Sequence, residues 1–210
     1  MRDPRVDRPT GGERPLRADA RRNRDALVAV ARAAFAATDD TVSLEGIARE
    51  AGVGIGTLYR HFPTRESLVE AVYAAELDDV VASAHALLGQ SPPDVALRAW
   101  MNRYAAFIAT KRGMLDTLRA GWTSGRITTS TTRERISAAI GTILTAGARA
   151  GSLRGDVAPE DVTAMVFGVF LATAIEPTSE QIGRLLDLVV DALRTGAPTN
   201  VVPKELRPDR

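Results

Sequence analysis

The stretch SLEGIAREAGVGIGTLYRHFPTR, residues 43–65, decides the fold of this 210-residue chain. It predicts two short helices joined by a tight turn at Gly52, where glycine can adopt the left-handed conformation that ends a helix. Ser43 is placed to cap the first helix, and Pro63 ends the second. Two short helices around such a turn are typical of a helix-turn-helix, which lays its second helix in the major groove of DNA.

The rest of the chain repeats one pattern, in which apolar residues recur at helical spacing between glycine, proline and hydroxyl-bearing residues. No segment alternates with period two for long enough to predict a strand. We therefore predict an all-α fold of about nine helices, with a three-helix DNA-binding domain followed by a helical bundle. The helices expected outside the motif lie near residues 19–38, 64–88, 93–112, 114–120, a segment closed by Gly151, 161–175 and 179–195.

Composition predicts the domain boundaries. Residues 1–17 and 197–210 are expected to be disordered tails, because they are rich in proline and charge and have no periodic apolar face. An alternative for the first tail is a basic arm that follows the DNA backbone. Residues 18–65 are expected to be the helix-turn-helix domain and residues 66–196 the ligand-binding and dimerisation domain. Residues 1–65 contain 12 arginines and 9 acidic residues, so the cationic end is the one expected to meet phosphate.

Several protein classes are disfavoured by the sequence. The chain has no cysteine, which excludes disulfides and thiolate metal sites and fits a reducing cytosol. The longest apolar run, 164–175, is too short for a membrane helix of about 20 residues. His61 has no nucleophile or carboxylate at close spacing, and the only other histidine, His85, is alone on a long predicted helix. We expect a cytoplasmic protein that is not an enzyme and that needs no metal, cofactor or membrane.

Residues of the second short helix and its flanks are the candidate DNA contacts. Gly54 and Gly56 lower helix propensity relative to alanine, and the expected benefit is close approach of the backbone to DNA. Ile55 is expected to meet the bases, with a thymine methyl as its natural contact, and burial in the core is the alternative. Because this end of the helix is apolar, specificity is expected to depend on DNA shape. The candidate contacts are Ser43, Gly54, Ile55, Gly56, Thr57, Tyr59, His61 and Arg65.

The same residues resemble a known family. The segment GTLYRHF at residues 56–62, followed by TRE at 64–66, is similar to the TetR/AcrR transcriptional regulators, and the resemblance extends over about residues 19–75. The segment TKRG at residues 110–113 is similar to the ligand-binding domains of the SbtR-like branch. The resemblance implies that the matching positions contact DNA phosphates, namely Thr57, Tyr59, His61 and Arg65.

The resemblance also implies a ligand-responsive regulator, a repressor that releases its operator on binding a hydrophobic or aromatic small molecule. Since helix-turn-helix proteins read half-sites about 34–36 Å apart as dimers, we expect a homodimer on a palindromic operator. Its contact is expected in the last two long helices, and the alternative is that these helices are buried in their own domain. A helical small-molecule-binding module and a ligand-independent DNA-binding regulator remain the alternative functions.

The candidate effector site is a set of aromatic and apolar residues in the second domain. Such side chains at helical spacing also occur in an ordinary core, and this alternative stays open. Small-molecule pockets are mainly apolar, which supports a hydrophobic effector. The candidate ligand contacts are Trp100, Tyr104, Phe107, Trp122, Ile140 and Phe167.

Overall fold

A computed structural model of the chain describes residues 13–36, 43–112, 129–173 and 178–196. These residues form eight α-helices and no strand, so the predicted all-α class is confirmed. The short helix predicted at 114–120 lies outside the described residues. The helices are α1 (Glu13–Ala36), α2 (Leu44–Glu50), α3 (Ile55–His61), α4 (Arg65–Leu88), α5 (Pro93–Arg112), α6 (Thr129–Ala150), α7 (Pro159–Ala172) and α8 (Ser179–Leu193).

The chain divides into two compact units. Among the described residues, the first unit contains α1, α2, α3 and residues 65–76 of α4, and the second contains residues 77–88 of α4 with most of α5 and all of α6, α7 and α8. Helix α4 therefore contributes to both units. In the described part of the chain, no helix is both long and apolar enough to cross a bilayer.

The first unit packs α1, α2 and α3 against one another. Its buried side chains follow the helical periods of the sequence, as the hydrophobic effect requires. Each contributing helix supplies at least one side chain that is at most 2% exposed, among them Leu27, Ile47, Leu58 and Leu68.

Helix α1 begins at Glu13, six residues before residue 19, where the sequence predicted its start. Residues 13–17, which we predicted to belong to a disordered tail, are helical, and residues 1–12 and 197–210 lie outside the described residues. Pro15 explains the difference, since it lies in the first turn of α1. Proline is tolerated there because the first amides of a helix have no intrahelical acceptor.

The second unit packs α6 against α7 and α7 against α8. The Trp100 indole N–H donates a hydrogen bond of 2.9 Å to the carbonyl of Val80, which joins α5 to α4. Between α6 and α7, the buried hydroxyl groups of Ser137 and Thr163 lie 2.9 Å apart. Thr163 also donates to the carbonyl of Pro159 at 2.8 Å, so Ser137 is the donor to Thr163.

The end of α8 is tied to the loop between α6 and α7. The Arg154 amide donates to the carbonyl of Leu193 at 2.8 Å, and the Thr195 hydroxyl donates to the carbonyl of Gly151 at 2.7 Å. Gly151 has a φ of 68°, which favours glycine at this turn. These bonds satisfy backbone groups that a helix end leaves without partners.

Candidate nucleic-acid interface

The turn between α2 and α3 is defined by local hydrogen bonds and one left-handed residue. Gly52 has a φ of 70°, a conformation that costs other residues about 1–2 kcal/mol. The Val53 amide donates to the carbonyl of Ala48 at 3.0 Å and closes the end of α2. At the start of α2, the hydroxyl oxygen of Ser43 accepts a hydrogen bond of 3.0 Å from the amide of Gly46. The predicted cap and turn are both confirmed.

One face of α3 is buried and the opposite face is exposed. Leu58 is fully buried, whereas Ile55 is 38% exposed and Tyr59 is 45% exposed. Residues four apart lie above one another on a helix, so the exposed positions form one continuous face. We call this face, made of Ile55, Gly56, Tyr59 and Arg60, the reading face.

Arg60 is a member of this face that the sequence analysis missed. It is exposed and follows Gly56 by four residues, which places it one helical turn further along the same face. Counting the helical period from Gly56 would have identified it. Arg60 adds a cationic side chain with several hydrogen-bond donors to a face whose other large side chains are Ile55 and Tyr59.

The predicted DNA contacts do not all lie on this face. The candidates exposed on or directly before α3 are Gly54, Ile55, Gly56 and Tyr59. The candidates that are half-buried beside them are Thr57, His61 and Arg65. Ser43 is exposed at the start of α2, and its hydroxyl oxygen already serves as the helix cap.

Two arginines lie over buried aromatic rings in the first unit. The guanidinium carbon of Arg65 is 5.4 Å from the centre of the Phe35 ring, and that of Arg24 is 5.3 Å from the centre of the Phe62 ring. Phe35 is 7% exposed and Phe62 is 2% exposed, so both rings are fixed by the core. Cation–π contacts of this kind hold the guanidinium groups in place. Because Phe62 directly follows α3, Arg24 of α1 lies beside the end of that helix.

The predicted effector-site residues of the second unit form a packed aromatic cluster. The rings of Trp100 and Tyr104 stack with centres 5.6 Å apart and planes 10° apart, and both residues are fully buried. Phe167 and Phe170 meet the Tyr104 ring edge-on, at 5.9 and 5.5 Å. Phe107 lies 6.0 Å from the same ring. Tyr104 is thus the centre of the cluster, which offset and edge-to-face contacts stabilise.

Two of the candidate ligand contacts, Ile140 and Trp122, remain to be placed. Ile140 is fully buried in α6, and Trp122 lies outside the described residues. Arg133, which the sequence analysis did not select, has its guanidinium carbon 5.7 Å from the centre of the Phe167 ring. Arg133 also lines an open groove of about 380 Å³ formed by α6 and the start of α7. The groove therefore lies beside one edge of the aromatic cluster.

The last two helices have both buried and exposed apolar faces. Several apolar residues of these helices, in which the dimer contact was expected, are buried within the second unit, namely Val162, Val166, Phe170, Leu186, Val189 and Leu193. Other apolar side chains point outward: Leu171 is 80% exposed, Leu188 is 64% exposed and Met165 is 44% exposed. Leu188 also lines a groove of about 460 Å³ along α8.

The described residues contain no group of three His, Cys, Asp or Glu side chains that could hold a metal ion.

Comparison with known proteins identifies both parts of the chain. Residues 27–72 match the family model of bacterial regulatory proteins, tetR family, and residues 92–195 match the C-terminal domain of SbtR-like transcriptional regulators. Over 64 residues the chain is 38% identical to an HTH-type transcriptional regulator of Staphylococcus aureus. That alignment covers 30% of this chain and 35% of the relative, so the chain spans about a third of the length of the curated relatives it matches.

Two solved structures are similar over nearly their whole length. A TetR transcriptional regulator from Streptomyces coelicolor is 42% identical, with a TM-score of 0.70, over 81% of this chain and 98% of the other. A TetR transcription regulatory protein from Mycobacterium vanbaalenii is 33% identical, with a TM-score of 0.65, over 86% of this chain and 99% of the other.

Proposed function

Because the chain belongs to the TetR family of transcriptional regulators, we propose that it is a homodimeric repressor that releases a palindromic operator when a hydrophobic or aromatic small molecule binds. Proteins of this family are DNA-binding regulators and not enzymes, which confirms that prediction. The observation that carries the proposal is the reading face of α3, which exposes Ile55 and Tyr59 although the other face of the helix is buried. A regulator of this kind works in the cytoplasm, where the DNA is.

The phosphate contacts of the proposal come from side chains around the reading face. Tyr59 is exposed, and its hydroxyl group can donate a hydrogen bond to a phosphate oxygen. Arg65 lies over the Phe35 ring, and its guanidinium group carries the charge and the N–H donors that a phosphate contact requires. Thr57 and His61 are half-buried on either side and complete the set of contacts to the backbone. These contacts fix the register of α3 and supply affinity that does not depend on sequence.

The proposed dimer contact lies on the outward faces of α7 and α8. Leu171 and Leu188 are large apolar side chains that are mostly exposed in the single chain. Large exposed apolar side chains on helices that pack against each other are typical of surfaces that another copy covers. A twofold dimer through these helices would present two copies of α3 to successive turns of a palindromic operator.

The proposed effector site lies at the edge of the aromatic cluster. Phe167 is half-buried and Arg133 lies over its ring, so an apolar ligand could displace this arginine and pack against the cluster. Release follows if the effector binds more tightly to a conformation in which the spacing of the two α3 helices does not match the operator. The effector's affinities for the two conformations then set how far operator affinity falls. Helix α4 has residues in both units and is the proposed connection between effector and DNA binding.

The DNA part of the proposal is tested by selecting operators from a random double-stranded pool and measuring affinity by fluorescence anisotropy. We expect one palindromic sequence to be enriched. Tyr59→Phe is expected to weaken its binding by about tenfold, since a hydrogen bond to a charged group is lost. The variant should unfold at the same temperature as the wild type, because Tyr59 is exposed. Absence of any enriched sequence would overturn the proposed function.

The effector part is tested separately with a panel of apolar aromatic compounds. A true effector should raise the unfolding temperature of the free protein and lower its operator affinity. If the protein binds the enriched operator, and no compound raises its unfolding temperature or lowers its operator affinity, the chain is a ligand-independent regulator. If compounds bind and no DNA is enriched, the chain is a small-molecule-binding module.

A further inference from the structure

The two glycines beside Ile55 differ in position: Gly54 is the N-cap of α3, where glycine is favoured, whereas Gly56 lies inside the helix. Gly54 has a φ of −71° and a ψ of 148°, which any residue adopts, and Gly56 lies within α3. A Cβ atom built on either residue would meet nothing within 4 Å beyond its chain neighbours and the backbone of its own helix. Gly52 is different, because its φ of 70° requires glycine. Neither backbone conformation nor packing explains the absence of a side chain at position 56.

Glycine within a helix is nevertheless unfavourable relative to alanine. An unfavourable residue without an internal reason points to an external partner that must come close to the backbone. The partner proposed above is DNA, and the two glycines flank Ile55 directly in the chain. Ile55 is 38% exposed, and the positions directly before and after it in the chain carry no side chain.

The chemistry of Ile55 restricts what it can recognise. Its side chain has no donor or acceptor, so it cannot distinguish bases by hydrogen bonds. In the major groove, the apolar group that a base pair presents is the C5-methyl group of thymine. A cytosine methylated at C5 presents the same group at the same position of the ring. An unmodified cytosine has hydrogen there and would leave the apolar side chain without a contact.

We propose that Ile55, exposed between Gly54 and Gly56, recognises the C5-methyl group of a pyrimidine in each operator half-site, so that it binds thymine or 5-methylcytosine in preference to cytosine or uracil. This inference rests on the proposed function and specifies what the reading face detects. It also makes operator affinity sensitive to cytosine methylation at that position.

The test uses the full-length protein and the operator selected above. Each thymine of one half-site, and its symmetry mate, is replaced in turn by deoxyuridine, which removes only the methyl group. We expect one position at which the wild type loses about fourfold in affinity for each half-site, from the burial of one carbon atom. Ile55→Ala should bind the thymine and uracil operators about equally. Deoxycytidine placed there should weaken wild-type binding, and 5-methyldeoxycytidine should restore part of it.

Tyr59→Phe is the matched control, because it lies on the same face and is expected to lower affinity for every operator without changing the thymine-to-uracil ratio. The inference is overturned if the wild type binds every uracil-substituted operator as tightly as the unmodified operator. It is also overturned if Ile55→Ala keeps the same thymine-to-uracil affinity ratio as the wild type. In both cases operator binding persists and the proposed function stands. Failure to enrich any DNA would instead remove both proposals.

Discussion

The guanidinium group of Arg65, the first residue of α4, lies 5.4 Å from the centre of the Phe35 ring near the end of α1. This contact joins the start of one long helix to the buried end of another. It fixes a cation close to α3 before DNA is present, so less side-chain entropy is lost when a phosphate binds. The same arrangement recurs between Arg24 and Phe62.

Arg65 should therefore contribute to affinity through charge and through its fixed position. We expect Arg65→Ala to reduce the slope of log K against log salt concentration by about one for each subunit, as for the loss of one phosphate contact. Arg65→Lys keeps the charge but loses the planar stacking, so it should keep most of the slope and lose part of the affinity. Anisotropy titrations at several salt concentrations measure both quantities.

Arg149 provides the control for this experiment, since it is an exposed arginine in the last turn of α6. Arg149→Ala should leave both slope and affinity unchanged. An equal loss in Arg149→Ala and Arg65→Ala would mean that net charge, and not the position of Arg65, accounts for the effect.

Gly52 and Gly56 are expected to respond to alanine in opposite directions. Gly52→Ala forces a side chain into a backbone with a φ of 70° and should destabilise the protein by about 1–2 kcal/mol. Gly56→Ala has free space for its methyl group and gains helix propensity, so it should stabilise the protein by about 0.5 kcal/mol. Urea unfolding of both variants measures the difference. A loss of stability in Gly56→Ala would show that this glycine has an internal function after all.

Leu171 and Leu188 should determine the oligomeric state. Replacing either with glutamate is expected to convert the dimer to a monomer, because a charge would be buried in an apolar contact. Sedimentation velocity measures the mass, and circular dichroism checks that helix content is unchanged. Val95→Glu is the control, since Val95 of α5 is 48% exposed and lies on neither of the last two helices. Dimers that persist in both leucine variants would contradict the proposed interface.

Gly147, unlike Gly56, has no free space for a side chain. A Cβ atom at this position would lie 2.5 to 2.7 Å from three atoms of the Leu153 side chain, which is 1% exposed. We expect Gly147→Ala to destabilise the protein by about 1–3 kcal/mol through overpacking. Gly155→Ala meets only an ordinary contact of 3.4 Å with Ala148 and should change stability little. Similar unfolding midpoints for the two variants would show that Leu153 can move without cost.

The helix ends could be predicted from sequence because they depend on local chemistry. The hydroxyl oxygen of Thr178 accepts from the amide of Gln181 at 3.1 Å, as Ser43 does for Gly46, and α5 begins at the expected proline. A cap and its amide are three residues apart, so the pattern is contained in the chain itself. The start of α1 was predicted too late because Pro15 was counted with the proline-rich tail, although the first turn of a helix tolerates proline.

The sequence by itself determined the helices, the turn at Gly52 and the resemblance of α3 to a DNA-reading helix, because each depends on residues within a few positions of one another. Only the tertiary structure decided which side chains meet across the chain. It placed Arg65 against Phe35, collected the aromatic rings around Tyr104, and left Leu171 exposed beside buried Phe170. The physical reason is that hydrophobic periodicity identifies an apolar face, whereas the partner that covers the face is set by packing between distant segments.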